Sequence, residues 1–406
     1  MRKRSMIRLL VVAATAALAR RPAATDRGCG SYCSAAVDDA VRVAVTRAAY
    51  ANATAAALAS ARRVAARISL DCAIALRGDG VVVSHGGRSY GGGDALPAAL
   101  VGGGGGALCA AGAAAAPGRV AVFTVVDTVG YLTAPGNLDA FRNKVAFCER
   151  TGRPLYVLLV GTGDASLHAR EGPPWQPCGE PDGNQLSVYK APGALRVFES
   201  RPAVSSLLYL DADAWFADGA AAAPLEAYAD LLEKNDADLL GVQNRFHAGA
   251  DPGWGRPRKI VMNGGVFLLR RSAFADGFAG LWWAGRCGAK DQLPLWAALF
   301  AHWHVDAGAP YDPDAFATYK LARRAALPSL ARVLGDRLPQ GQLREPAVVG
   351  RVLLLPALPV GGLPALRSDR DPARRTFVCH TKPGRPEQGG QCDAADVCAK
   401  SRCEVA

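Results

Sequence analysis

Leu207-Leu208-Tyr209-Leu210-Asp211-Ala212-Asp213-Ala214-Trp215-Phe216 is the stretch on which the reading of this chain turns. Leu207–Leu210 is a short, continuous apolar run of the kind that forms a strand buried on both faces. It leads straight into two carboxylates separated by one small residue. In an α/β sheet, ligands gather outside the carboxyl ends of the strands, and side chains two apart along extended backbone share a face. Asp211 and Asp213 there suit a hard divalent cation, Mn2+ or Mg2+. Such an ion neutralises charge that develops on a departing phosphate group. An Asp-rich turn that caps a following helix is the competing reading, and the motif alone leaves both open.

Toward the N-terminus the surroundings are those of a layered α/β domain. Val120–Val126 (VAVFTVV) is a second buried, β-rich run. Asn137 is a candidate helix cap, followed by Leu138, Phe141, Val145 and Cys148 on one helical face. Gly152 and Pro154 end that helix, and Leu155–Val160 (LYVLLV) returns to strand. Strand, helix and strand with short connections are the signature of an α/β sheet.

Toward the C-terminus, Leu239–Val242 and Val266–Leu269 read as further strands. Ser272 is placed to cap a helix whose apolar stripe is Phe274, Phe278, Leu281 and Trp282. Asn263-Gly264-Gly265 precedes this region; paired glycines let backbone approach a ligand closely. Asn263, Asp291 and Gln292 offer donors and acceptors for sugar hydroxyls, although singly they read as a turn and a helix start. Phe377-Val378-Cys379-His380-Thr381-Lys382 sets an imidazole and an ammonium two residues apart after an apolar strand. A lone histidine is more often structural, but beside a carboxylate pair His380 becomes a candidate third metal ligand.

In this order and spacing the segments 118–300 and 376–385 resemble the nucleotide-diphospho-sugar transferases of the GT-A fold. The nearest likeness is to the galactosyl-, mannosyl- and xylosyltransferases of glycosyltransferase family 34. It is carried by Asn143-Lys144-Val145-Ala146-Phe147, the Leu-Asp-Ala-Asp-Ala motif, the Asn-x-Gly-hydrophobic-Phe-Leu segment and Asp291-Gln292. The resemblance implies a GT-A type, Rossmann-like α/β sandwich with a mostly parallel central sheet. It implies that Asp211, Asp213 and His380 hold Mn2+ (or Mg2+), and that Thr124 and Asp127 lie near the nucleotide base and ribose. Asn263, Gly264, Gly265, Asp291 and Gln292 then line the sugar pocket, with Asp291 or Gln292 stabilising an oxocarbenium-like transition state. The implied activity is transfer of a hexose or pentose from a UDP-sugar, with GDP the next choice of nucleotide, to a glycan or glycoprotein acceptor. Retention of configuration is implied, without a dedicated general base. One position departs from the pattern. The family's lysine follows its histidine by four or five residues with a glycine between, whereas Lys382 follows His380 by two, so Lys190 stands as a second candidate for the diphosphate.

Composition bounds these readings. Half of the 406 residues are apolar and 20% are charged, enough for a full core. The net charge of +11 raises nucleic-acid binding, but the basic residues are scattered in pairs, with no basic helix, zinc-finger spacing or aromatic-basic repeat. Residues 1–25 read as a signal peptide or signal-anchor: a basic MRKRSMIR segment, a short apolar Leu9–Ala19 run and Ala17-Leu18-Ala19. An organelle transit peptide is the runner-up. Eleven cysteines, of which Cys29 and Cys33 sit near the start and Cys392, Cys398 and Cys403 cluster at the tail, and the sequon Asn52-Ala53-Thr54 fit an oxidising lumen. The expected location is therefore the secretory pathway, in the Golgi lumen, with membrane association through the N-terminus. Residues 26–115, rich in Ala and Gly, read as a flexible stem, with Arg77-Gly78-Asp79-Gly80 able to turn a local hairpin. Residues 116–385 form the transferase domain, with an irregular insertion at 326–375, and 386–406 a Cys-rich tail.

Three other functions share parts of this pattern. A phosphatase of the haloacid-dehalogenase type also places Asp-x-Asp after a buried strand, but Trp215 stands where its motif has Thr or Val. A nucleotidyltransferase uses the same metal chemistry, but the segment after Val126 lacks its basic glycine-rich loop. A transferase fold that has lost catalysis and only binds glycans is the non-enzymatic alternative.

Overall fold

The structure is a computed structural model that describes residues 30–78, 80–91, 106–111, 119–134, 136–160, 188–217, 225–243, 262–286, 292–306, 311, 343, 345–356, 363–364 and 376–380. The chain divides into two units, 1–45 and 46–406. Of the first, only the beginning of helix α1 (Gly30–Arg67) is described; the second carries the strands, the other helices and the candidate site.

Fourteen strands among the described residues form two sheets. The strands are β1 (Ala73–Arg77), β2 (Gly80–His85), β3 (Arg88–Tyr90), β4 (Ala107–Ala111), β5 (Val120–Val126), β6 (Leu155–Leu159), β7 (Ser206–Leu210), β8 (Ala214–Phe216), β9 (Leu239–Gln243), β10 (Met262–Arg270), β11 (Ala347–Val349), β12 (Val352–Leu355), β13 (Leu363–Pro364) and β14 (Thr376–His380). The helices after α1 are α2 (Val129–Thr133), α3 (Asn137–Thr151), α4 (Lys190–Ser200), α5 (Glu226–Lys234), α6 (Ala273–Ala284) and α7 (Gln292–Asp306). The large sheet has eleven strands in the order β11-β12-β9-β10-β7-β5-β6-β4-β1-β2-β3, and β13-β14-β8 form the small one. The α/β class expected from the sequence is the class observed.

At the centre of the large sheet β6, β5 and β7 run parallel, as the strand–helix–strand reading requires. Beyond them the sheet is mixed. β10 lies antiparallel to both β7 and β9, while β12 is parallel to β9. Alternation along the central strands feeds two cores. Ala121, Phe123 and Val125, with Leu207 and Tyr209, face the layer of α1, α4, α6 and α7. Val120, Val122 and Val126, with Leu208 and Leu210, face the layer of α3 and α5. A sheet buried on both faces explains why its strands read as unbroken apolar runs rather than as alternation.

Local signals explain most boundaries. Ser272 caps α6, its Oγ accepting the Ala275 N–H at 3.1 Å. Gly152 ends α3 in the left-handed conformation, φ 63°. Asn137 is the first residue of α3 rather than its cap; Gly136 occupies that position, and the Asn137 amide donates to the Tyr131 carbonyl at 3.0 Å.

The segment read as a flexible stem contributes α1 and β1–β4. Arg77 pairs with Gly80 in the β1–β2 hairpin, and β4 lies antiparallel to β6 along Ala107–Ala111. A disulfide between Cys72 and Cys109 ties the start of β1 to β4. Ala57, Ala61, Val64 and Ala65 of α1 are buried in the core. Alanine and glycine content masks this order because small residues here serve close packing. A Cβ on Gly280 of α6 would lie 2.6 Å from the Leu58 N of α1, so the two helices meet at backbone distance. The insertion at 326–375 likewise holds β11, β12 and β13. Val352–Leu355 is a fully buried run that extends the sheet at β9.

No helix among the described residues is long and apolar enough to cross a membrane. Residues 1–25 and 386–406, the latter with Cys392, Cys398 and Cys403, lie outside the described residues, as do Cys29 and the side chain of Cys33.

Candidate active site

β7 delivers Asp211 to the carboxyl end of the central sheet, and the chain turns through Ala212 and Asp213 into β8. Both carboxylates are partly exposed while Leu210, Ala212 and Ala214 are buried. The turn closes on itself, the Ala214 N–H donating to the Asp211 carbonyl at 3.0 Å.

Asp211 is held from three directions. The Tyr209 hydroxyl, two residues back on the same face, donates to Asp211 Oδ1 at 2.6 Å. The Lys190 ammonium, from the first turn of α4, lies 2.8 Å from the same oxygen. It also donates to the Gly264 carbonyl at 3.1 Å and sits 4.6 Å from the centre of the Tyr209 ring. The Asp211 N–H donates to the Gly265 carbonyl at 2.8 Å. Lys190 is only 3% exposed; its charge is compensated inside the protein by Asp211 and directed at it. The sequence made Lys190 a spare ligand for a diphosphate, and the structure sets it behind the carboxylate.

Asn263, Gly264 and Gly265 are not a turn but the first part of β10. Register with β9 shifts between Met262 and Phe267, across these residues. Asn263 Oδ1 accepts the Gly265 N–H at 2.7 Å, which holds the irregular backbone so that successive carbonyls meet Lys190 and Asp211. Gln292, the first residue of α7, reaches the carbonyl of Met262, whose stronger partner is the Trp296 indole at 2.7 Å. The structure thus brings Gln292 beside the Asn263 segment and that segment beside Asp211. Asp291 and Lys382 lie outside the described residues, as does the side chain of His380. The backbone of His380 pairs with Ala214, one residue beyond Asp213.

At the end of neighbouring β5 the sequence-expected pair separates. Thr124 is fully buried within the sheet, its hydroxyl without a hydrogen-bond partner among the described residues. Lying in the layer between Val122 and Val126, it presents no surface to solvent. Asp127, past the strand end, is partly exposed, and burial raises its carboxyl above the ordinary carboxylate range. Tyr131 of α2 is 43% exposed. Its phenol is raised by partial burial first, then by the charges of Asp213, Asp211 and Asp127, carboxylates that follow the neighbouring strands β7 and β5.

On the other side of the turn stands α3. Lys144, 1% exposed, donates to the Ala212 carbonyl at 2.8 Å. Burial lowers its ammonium to about 7, opposed by the charges of Asp213 and Asp211. Asn143 pairs with both backbone groups of Phe216, accepting its N–H at 2.7 Å and donating to its carbonyl at 3.0 Å. Sequence reasoning uses these two residues for the family likeness but gives them no role. The signal was present: Lys144 falls on the stripe of Phe141, Val145 and Cys148, where a charged residue needs a buried partner. Tyr209 and Tyr131 were missed altogether.

Among the described residues no three His, Cys, Asp or Glu side chains cluster closely enough to hold an ion by themselves. The donor set at Asp211 and Asp213 nonetheless fits a cation that completes its shell from a substrate. Mg2+ in phosphate-transfer sites is held by one or two carboxylates plus substrate phosphates and water, and both carboxylates here retain solvent access.

No protein-family model matches the chain, and no curated protein matches it. Among solved structures, the fold is similar to that of a glycosyltransferase involved in the glycosylation of the major capsid of PBCV-1, with a TM-score of 0.28 and 13% identity. The similarity covers 41% of this chain and 66% of that one, just under two thirds of its length.

Proposed function

We propose that the chain is a metal-dependent glycosyltransferase that moves a hexose or pentose from a nucleoside-diphosphate sugar to a glycan acceptor in the lumen of the secretory pathway. The observation that carries the reading is the Asp211-Ala212-Asp213 turn, two solvent-reaching carboxylates fixed at the carboxyl end of a central strand by buried partners on both sides. A rigid pair of hard oxygen ligands in a cleft is what recognition of a diphosphate through a divalent cation requires. When bound there, the cation supplies Lewis-acid neutralisation of charge on the departing diphosphate.

The chain's own residues do the rest. Tyr209 and Lys190 hold one oxygen of Asp211 and so fix the aim of the carboxylate. Asp127 and Tyr131 border the cleft from the end of β5, where a base and ribose would lie beside the strand end. Asn263, buried with its amide oxygen on the Gly265 N–H, shapes the wall at β10, and the partly exposed Gln292 offers an amide suited to sugar hydroxyls. Transfer with retention of configuration, UDP as the nucleotide, His380 as a further metal ligand and Lys382 on the diphosphate follow from the family resemblance and belong to the same proposal.

The test is a nucleotide-release assay over UDP- and GDP-sugars with mixed glycan acceptors, with Mn2+ or with a chelator. Release of one nucleoside diphosphate that requires both metal and acceptor is the expected result. Release of orthophosphate from a phosphomonoester, with no nucleotide released from any sugar donor, contradicts the proposal and favours the phosphatase.

A further inference from the structure

We infer that Asn143 and Lys144 are positioning residues that set the spacing and aim of the Asp211–Asp213 pair, an inference that rests on the metal-dependent reading above. The geometry is specific to this turn. Asn143 engages both the N–H and the carbonyl of Phe216, so one side chain does for β8 what a neighbouring strand does for a ladder residue. Lys144, the next residue, reaches past it to the Ala212 carbonyl at 2.8 Å, the peptide oxygen that lies between the two carboxylates. One turn further along α3, Phe147 stacks on Phe216 with ring centroids 3.5 Å apart. The same ring meets Phe377 of β14 edge-on at 6.1 Å. Neighbouring residues of one helix therefore hold the middle of the Asp-Ala-Asp turn, the strand after it, and the strand that carries His380.

The chemistry explains why a lysine stands there. Two carboxylates one residue apart repel each other, and a carbonyl dipole between them adds to the negative potential. A buried lysine nitrogen donating to that carbonyl offsets its dipole and fixes the peptide without occupying the face open to solvent. An apolar side chain in its place leaves the Ala212 carbonyl buried and unpaired and lets the peptide rotate, which moves both aspartates together. Groups that orient ligands in this way affect metal affinity strongly although they never touch the ion.

The test uses the full chain, with Mn2+ itself as the probe, its half-saturation read by electron paramagnetic resonance of the free ion alongside the melting temperature. Lys144→Met is expected to keep a cooperative melt and to raise the half-saturating Mn2+ concentration by about 10- to 100-fold. Lys144→Arg, which can still donate to the carbonyl, is expected to recover most of that loss. Asn143→Ala, which leaves the lysine in place, provides a second variant should Lys144→Met fail to fold, and a rise in half-saturation of the same order is expected. A lowered melting temperature with unchanged Mn2+ half-saturation makes the pair a fold staple only and overturns the inference. Absence of Mn2+ binding by the unmodified chain, titrated without nucleotide and again with UDP and with GDP, removes the metal reading, and the inference falls with it.

Discussion

The ammonium of Lys190 lies 2.8 Å from Asp211 Oδ1, although the two residues come from different layers, the start of α4 and the end of β7. The contact divides the labour of a single carboxylate. One oxygen is bound to a buried cation of the protein and to the Tyr209 hydroxyl, which fixes the rotamer. Asp213 has its own anchor one peptide away, through Lys144 on Ala212. The two aspartates are thus held from opposite faces of the sheet, by α4 on one side and α3 on the other. An Asp-rich turn whose task was only to cap a helix would need neither buried lysine.

Replacement of Asp213 by Ala is expected to remove metal-dependent turnover, at least about 100-fold in kcat, the scale of losing one preorganised electrostatic group. The melting temperature should barely change, because the side chain is partly exposed and lies beyond the strand. Full activity of this variant in Mn2+ would show that the carboxylate pair is not the metal site.

A second expectation concerns the start of β9, two strands from β7 in the site-bearing sheet. Asp238, whose side chain is 1% exposed, is paired with Arg270 and Arg351. Burial on its own raises this carboxyl, but hydrogen bonds and charge from Arg351 and Arg270 outweigh it and bring it below its ordinary value of 3.8. A depressed folded-state value means the stabilisation is fully present above pH 3.8 and is lost as pH falls through the lower folded value. Asp238→Asn should therefore cost about 3 kcal/mol at neutral pH, as for removal of one member of a buried ion pair. In urea titrations the gap to the unmodified chain should stay constant down to the ordinary carboxylate range and close only below it. A gap that closes near neutral pH would assign the effect to another group.

Gly280 gives a packing test. The absence of a side chain lets α6 meet α1 at Leu58, and a larger residue forces them apart. Gly280→Val should destabilise the fold by about 1–3 kcal/mol through overpacking, measured by urea denaturation. Unchanged stability would mean that residues 46–67 do not pack on the domain and belong to a stem after all.

The Cys72–Cys109 disulfide makes a related claim for β1 and β4. The sequence separation is 37 residues, and loss of both thiols by substitution with Ala should cost about 2–4 kcal/mol. Peptide mapping without reductant should recover the two cysteines in one linked fragment. Recovery of both as free thiols from chain secreted by a eukaryotic host would contradict the pairing.

How much of this was legible in the sequence depended on what kind of signal each part carries. The central strands β5, β6, β7 and β9 and the helices α3 and α6 were readable because burial on both sheet faces writes unbroken apolar runs, and because Ser272 and Gly152 punctuate helices through backbone chemistry. β3 and β4 were not, and β1–β2 showed only as the turn at Arg77–Gly80, because alanines and glycines that serve close packing carry the same composition as a linker. β10 was shortened for a related reason: Asn263-Gly264-Gly265 has turn residues, yet continues as strand because Asn263 satisfies the Gly265 N–H. At the site, Asp211 and Asp213 were legible as a motif, whereas the contact of Gln292 with the Met262 carbonyl joins two segments thirty residues apart and appears only in the fold. The burial of Thr124 was not legible, because strand periodicity gives the face but not whether that face is covered. Lys144 and Tyr209 were overlooked because a polar group inside an apolar run declares its partner only after folding, when Ala212 and Asp211 arrive from elsewhere in the chain.

The most direct test is the melting temperature of the purified chain with UDP, GDP or inorganic phosphate, each with and without Mn2+. Ligands that bind only the folded state raise it by mass action, by about 2.7 kcal/mol of stability at a concentration one hundred times Kd. A rise that needs a nucleoside diphosphate and Mn2+ together, and that disappears in Asp213→Ala, is the expected result and also identifies the nucleotide. No shift with either nucleotide in the presence of Mn2+ would contradict the assignment of a metal-assisted sugar transferase.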